Sequence, residues 1–145
     1  MRQLAVFAAS TFASILLVLA TPTAQAQISD RIEANLHHSF VVGNTTLPPG
    51  RYVFRTLQHS DLQIMTVTSA DGGTAAEFLV RTSYDTHTPK HSELEFNRYG
   101  NKEFLTHIYQ AGSKIGVAVV DPSREEGRLK KQGQSATPHT EEQEK

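Results

Sequence analysis

The chain is predicted to be all-β, a small antiparallel β-sandwich or barrel of about seven strands. Apolar and polar residues alternate with a period of two through most of residues 31–120, and clusters of turn formers interrupt that rhythm at short intervals. No long segment carries the 3.6-residue apolar spacing of an amphipathic helix, so strands joined mostly by short turns are expected.

The first strand, half-buried and either straight or bent, follows from Ile32, Ala34, Leu36, Phe40 and Val42, which share one parity between Arg31 and Val42, while Arg31, Glu33, Asn35 and Ser39 share the other. Gly43 to Gly50 then stacks turn formers, including Pro48 and Pro49, which cannot donate ladder hydrogen bonds. Strands are expected at Arg51 to Leu57, with Tyr52 and Phe54 on one face, and at Leu62 to Thr68. Asp71-Gly72 tolerates the positive φ angles of a two-residue turn, and a hairpin around it sets Met65 opposite Phe78 and Val67 opposite Ala76. A second hairpin around Gly100-Asn101 sets Phe96 opposite Leu105, Arg98 opposite Glu103 and Tyr99 opposite Lys102. Ile115 to Val120 is almost wholly apolar, as expected of a strand covered on both faces, and Asp121-Pro122 stops it.

Residues 1–26 have the form of a cleavable secretory signal peptide: Arg2, an apolar run from Leu4 to Ala20, and small residues at Ala24 and Ala26. Ser10, Thr11 and Ser14 interrupt the run, which is shorter than the roughly 20 apolar residues of a membrane span, so no transmembrane anchor is expected after cleavage. The expected organisation is a signal peptide at 1–26, a β-rich domain at 27–121 and a charged, flexible, disordered tail at 122–145. The tail assignment rests on Leu129 being its one sizeable apolar residue, too little to bury against a core, with a helical turn as an alternative for its beginning. The product is expected to be exported, either periplasmic or extracellular.

Composition narrows the function classes. The absence of cysteine excludes disulfides, thiolate metal ligands and a lipid-modified N-terminal cysteine. The chain has 14 Lys plus Arg against 15 Asp plus Glu; losing Arg2 with the leader leaves a formal charge of minus two, spread along the chain, with nothing to attract nucleic acid. There is no Gly-x-Ser-x-Gly elbow for nucleophilic catalysis. Glu93 and Glu95 could pair as glycosidase carboxylates, but a solvated outer strand face accounts for them, since Leu94 and Phe96 then point inward.

The seven histidines are His37, His38, His59, His87, His91, His107 and His139. His87 and His91 lie in the polar loop from Ser83 to Ser92, where Asp85 could add an oxygen and Pro89 a bend, making these three the candidate metal ligands. The alternative is a set of solvated loop histidines with no cofactor. His37 and His38 point to opposite faces, and His38, on the apolar parity, reads as a hydrogen-bonded core imidazole. Arg128, Lys130 and Lys131 followed by Glu141, Glu142 and Glu144 make the tail basic and then acidic, which suits solubility or a weak contact with an anionic envelope surface.

Phe40-Val41-Val42-Gly43-Asn44 running into Leu47-Pro48-Pro49-Gly50-Arg51-Tyr52, with Phe96-Asn97-Arg98-Tyr99-Gly100 and Phe104-Leu105 later, resembles a group of small exported bacterial β-rich proteins of unknown function. The similarity spans about residues 28–120 and implies an exported β-rich domain; it supplies no activity and no functional residues. The function expected is that of a non-catalytic module that binds an unknown protein or envelope component, or plays a structural part there, through the loops Gly43–Gly50 and Ser83–Ser92. A small metal-dependent protein or enzyme, or a carrier of an apolar ligand, are the alternatives.

Overall fold

Inward-facing apolar side chains on every other residue organise the sheet, and the computed structural model describes residues 31–58, 63–73 and 75–143 of it. Residues 1–26, expected as a signal peptide, and His59 lie outside the described residues. The predicted all-β class is observed: among the described residues ten strands join one sheet, accompanied by one short helix. The strands are β1 (Arg31–Leu36), β2 (Phe40–Val42), β3 (Thr45–Leu47), β4 (Gly50–Gln58), β5 (Gln63–Ser69), β6 (Ala75–Tyr84), β7 (Ser92–Tyr99), β8 (Lys102–Tyr109), β9 (Ile115–Val119) and β10 (Thr137–Gln143); the helix α1 spans Arg124–Lys131.

The ladder runs β1-β4-β5-β6-β9-β8, and β8 carries β7 and then β10 on its other edge. The β2–β3 hairpin joins the first residues of β8 through a parallel pairing of Phe40 with Glu103 and Val41 with Phe104, so the sheet is mixed rather than wholly antiparallel. The outer strands β1 and β10 approach each other, and the Asn35 backbone N–H donates to Gln143 Oε1 at 2.7 Å.

Both hairpin registers agree with the turn chemistry. Met65 faces Phe78 and Val67 faces Ala76, with Gly72 at φ +77° in the turn. Phe96 faces Leu105, Arg98 faces Glu103 and Tyr99 faces Lys102 around Gly100 at φ +61°. A bulge at Thr106 shifts the β7–β8 register so that Glu95 faces His107; the Thr106 hydroxyl donates to the Glu95 carbonyl at 3.0 Å and occupies the irregularity.

The core gathers Leu36, Phe40, Phe54, Val67, Leu94, Phe96 and Ile108, each about 1% exposed or less. Burial of each contributes about 1.5–3 kcal/mol before conformational entropy is subtracted. A second cluster, Val41, Tyr99 and Phe104, sits on the other side of β2 and is covered by Leu129 of α1 and by Ala136. This is why all three residues of β2 are buried.

Other expectations are corrected. The single strand expected from Arg31 to Val42 breaks at His37–Ser39 into β1 and β2, and the turn segment after it contains β3. Ile115 to Val120 is not covered on both faces: Ile115 and Val120 are exposed and only Ala118 is fully buried. The residues expected as a flexible tail form α1 and β10. Ser123 caps the helix by accepting from the Glu126 N–H at 2.9 Å, and acidic residues in the first turn with basic ones in the last favour the helix dipole. Glu126 is 3% exposed: Asn97 donates to it at 2.8 Å, Lys130 lies at 3.1 Å and the Tyr99 hydroxyl at 3.4 Å. Burial and that carboxylate's charge together raise the Tyr99 pKa. Finally, β10 pairs along its whole length with β7.

Gly116 sits opposite Tyr109 in the β8–β9 ladder, and a Cβ there would run into the Ile108 carbonyl oxygen and the Tyr109 ring. Gly116→Ala is therefore expected to destabilise the domain by about 1–3 kcal/mol through overpacking, read as a lower midpoint in urea unfolding.

Candidate functional site

Two histidine–carboxylate clusters arise from different parts of the sheet. The first is in the loop that joins β6 to β7. Asp85 follows the last residue of β6, and its Oδ1 accepts from the backbone N–H of Thr86 at 2.5 Å and of His87 at 3.3 Å, a local turn that short polar side chains favour. His87 Nδ1 lies 3.0 Å from the same oxygen, and His87 Nε2 lies 3.5 Å from Glu93 Oε2. The imidazole thus stands between two carboxylates, and Asp85, His87 and Glu93 each present a ligand atom within 4.8 Å of the others.

Of the three candidate ligands taken from sequence, Asp85 and His87 come together and His91 does not join them; it is exposed. Glu93 takes its place. The solvated outer face expected for Glu93 is incorrect, since its side chain is 8% exposed beneath the loop. Glu95, half-buried, instead pairs with His107, whose Nδ1 lies 3.0 Å from Glu95 Oε2.

The loop is tied to the neighbouring β8–β9 turn. The Asp85 N–H donates to the Lys114 carbonyl at 2.8 Å, Lys114 Nζ donates to the Thr86 carbonyl at 3.2 Å, and the Gly112 N–H donates to the Pro89 carbonyl at 2.8 Å. Pro89 is fully buried and anchors the middle of the loop. At its start, Tyr84 and Ile115 face each other in the β6–β9 ladder and remain 74% and 46% exposed. An exposed aromatic and an exposed aliphatic residue therefore lie side by side on a fixed support.

The second cluster is built from the β1–β2 bend and β10. His38 Nδ1 lies 2.9 Å from Glu141 Oε1, and the ring packs edge-on against Phe96 with centroids 5.2 Å apart. His38 is thus hydrogen-bonded, as its parity suggested, although half-buried. Its Nε2 is shielded from solvent and has no hydrogen-bond partner among the described residues. Leaving a buried polar atom unsatisfied costs about 1–3 kcal/mol. His139 lies beside it, with ring centroids 5.6 Å apart, and His139 Nδ1 is 3.1 Å from Glu103 Oε2. Arg98 donates from Nε to Glu103 and approaches His139 Nδ1 with Nη2 at 2.9 Å. His139 and Glu141 were missed as partners of His38 because about a hundred residues separate them, and only the β7–β10 ladder brings them together. The remaining described histidine, His37, is exposed and lies 3.4 Å from Asn35 Nδ2.

The Asp85 carboxyl has opposed influences. Partial burial pushes its pKa up, but the N–H groups of His87 and Thr86 and the His87 ring outweigh this and hold it below the ordinary value. A carboxyl whose folded pKa lies below its unfolded value of about 3.9 stabilises the fold above that pH, and the contribution disappears as pH falls through the lower folded value. The Thr86 and His87 amide resonances are expected to titrate with a midpoint below about 3.9, and Asp85→Asn is expected to abolish that step.

With the geometry of both clusters described, comparison with known proteins adds no precedent for either: the chain matches no family model, no curated protein and no solved structure.

Proposed function

We propose that the chain is an exported, non-catalytic β domain that binds a protein partner in the cell envelope or outside the cell, through Tyr84, Ile115 and the adjoining loop. The observation that carries this reading is the exposure of Tyr84 and Ile115 side by side next to a loop held by its own hydrogen bonds. Tyrosine gives a large contact area for little lost conformational freedom, and a loop already fixed before binding adds little ordering cost. Lys90, His91 and Lys114, all exposed in this loop and the turn beside it, suit a partner surface with an apolar recess edged by carboxylates. Export is supported by the signal-like residues 1–26.

The reading of a metal-dependent protein at this loop has the proximity of Asp85, His87 and Glu93 in its favour. An imidazole between two carboxylates accounts for the same geometry without an ion. The carrier of an apolar ligand is disfavoured because Phe40, Phe54, Leu94 and Phe96 fill the interior.

Photo-crosslinking groups placed at positions 84 and 115 are expected to give the same discrete adduct in cells, whereas one at the exposed Glu77 gives none. Tyr84→Ala is expected to weaken the isolated complex at least tenfold, about 1.4 kcal/mol. Equal crosslinking from all three positions, or from none, would contradict the proposal.

A further inference from the structure

The second cluster carries chemistry that the binding reading does not use. We infer that His38, His139 and Glu141 form a site for a borderline divalent transition-metal ion, Zn²⁺ or Cu²⁺, which fastens the C-terminal strand β10 to the bend between β1 and β2. Each of the three residues offers a ligand atom, and these atoms lie within 4.8 Å of one another. A tetrahedral ion with bonds of about 2.1 Å holds its donors about 3.4 Å apart, a distance that small side-chain rotations reach from here. Two imidazoles with one carboxylate select Zn²⁺ or Cu²⁺ over Ca²⁺ or Mg²⁺, which require mostly oxygen.

The backbone places these ligands on opposite sides of a gap. His139 and Glu141 are two residues apart on the inward parity of β10, which β7 holds in register, with His139 opposite Phe96 and Glu141 opposite Leu94. His38 belongs to the bend across from them. Between β1 and β10 the Asn35–Gln143 hydrogen bond is a described link, and the His38–Glu141 contact joins β10 to the bend.

The protonation pattern also suits an ion. An ion can replace the proton that His38 Nδ1 and Glu141 Oε1 share at 2.9 Å, a separation close to that of two donors on one ion. Glu103, 5% exposed and 3.1 Å from His139 Nδ1, can accept that nitrogen's proton and turn His139 Nε2 toward the cluster, the carboxylate–histidine arrangement that orients metal-bound imidazoles. Arg98 Nη2 approaches the same Nδ1, which cannot accept from Arg98 while donating to Glu103. Ion binding therefore favours the Glu103 partner and leaves Arg98 its bond to Glu103.

The test is calorimetric titration of the full chain with ZnCl₂, together with electron paramagnetic resonance of the Cu²⁺-loaded chain. One Zn²⁺ per chain is expected, weakened at least tenfold by His38→Ala and by His139→Ala and unchanged by His87→Ala. The Cu²⁺ spectrum is expected to show two coordinating imidazole nitrogens, reduced to one in either variant. Should His139→Ala fail to fold, His38→Gln, in the bend outside the ladder, carries the test by the same spectrum. No stoichiometric binding, parental affinity in the His38 variants, or a loss that follows His87 instead would overturn the inference. Because His87 belongs to the loop of the proposed partner site and His38 does not, failure here is distinguishable from failure of that reading.

Discussion

Strand β7 carries Leu94 and Phe96 into the core and has both of its edges paired. β8 covers one edge through a hairpin whose register places Phe96 on Leu105, and β10 covers the other. Without β10 the backbone N–H and C=O groups along β7 would form an open edge beside the apolar core, an arrangement that costs hydrogen bonds and invites pairing with other chains. β10 is itself suited to the outer position. Pro138, Thr140 and Glu142 are exposed, and a proline and a charge on the outer face blunt an edge against further pairing.

That arrangement also controls where charge is buried. β10 contributes His139, Glu141 and Gln143 to its inward side, so the sheet acquires a polar margin beside an apolar core. The margin is internally paired: Glu141 with His38, Glu103 with His139 and Arg98, and Gln143 with the Asn35 N–H. The helix α1 applies the same principle on the opposite face, where Glu126 is buried and held by Asn97, Tyr99 and Lys130 while Leu129 covers Tyr99 and Phe104. Two segments of low apolar content are thus retained by specific polar contacts added to modest burial.

These contrasts explain what was legible in the sequence. The hairpins at Asp71-Gly72 and Gly100-Asn101 were legible to the residue, because turn type and parity constrain one register together. The break at His37–Ser39 was not, since Phe40 and Val42 keep the parity of Leu36 across it, and β3 is three residues embedded among turn formers. β10 was illegible for a deeper reason: its inward side chains are His, Glu and Gln, so polar residues occupy both faces and the period-two signal vanishes. The helix was announced by Ser123 three residues before Glu126, a capping pair, but Leu129 alone gave no apolar stripe. At the loop cluster, proximity in sequence made Asp85 and His87 readable together. Glu93 was assigned to solvent because alternation with the inward Leu94 takes no account of a loop folding over the outer face.

The paired edge of β7 and the His38–His139–Glu141 cluster both require β10 to be an integral strand. Amide hydrogen exchange of the full chain measures this directly. Ladder-bonded amides between His139 and Gln143 are expected to exchange at least about a hundredfold more slowly than in a free chain, alongside those of β7. Exchange at the free-chain rate across those residues, with β7 and β8 still protected, would contradict this strand assignment.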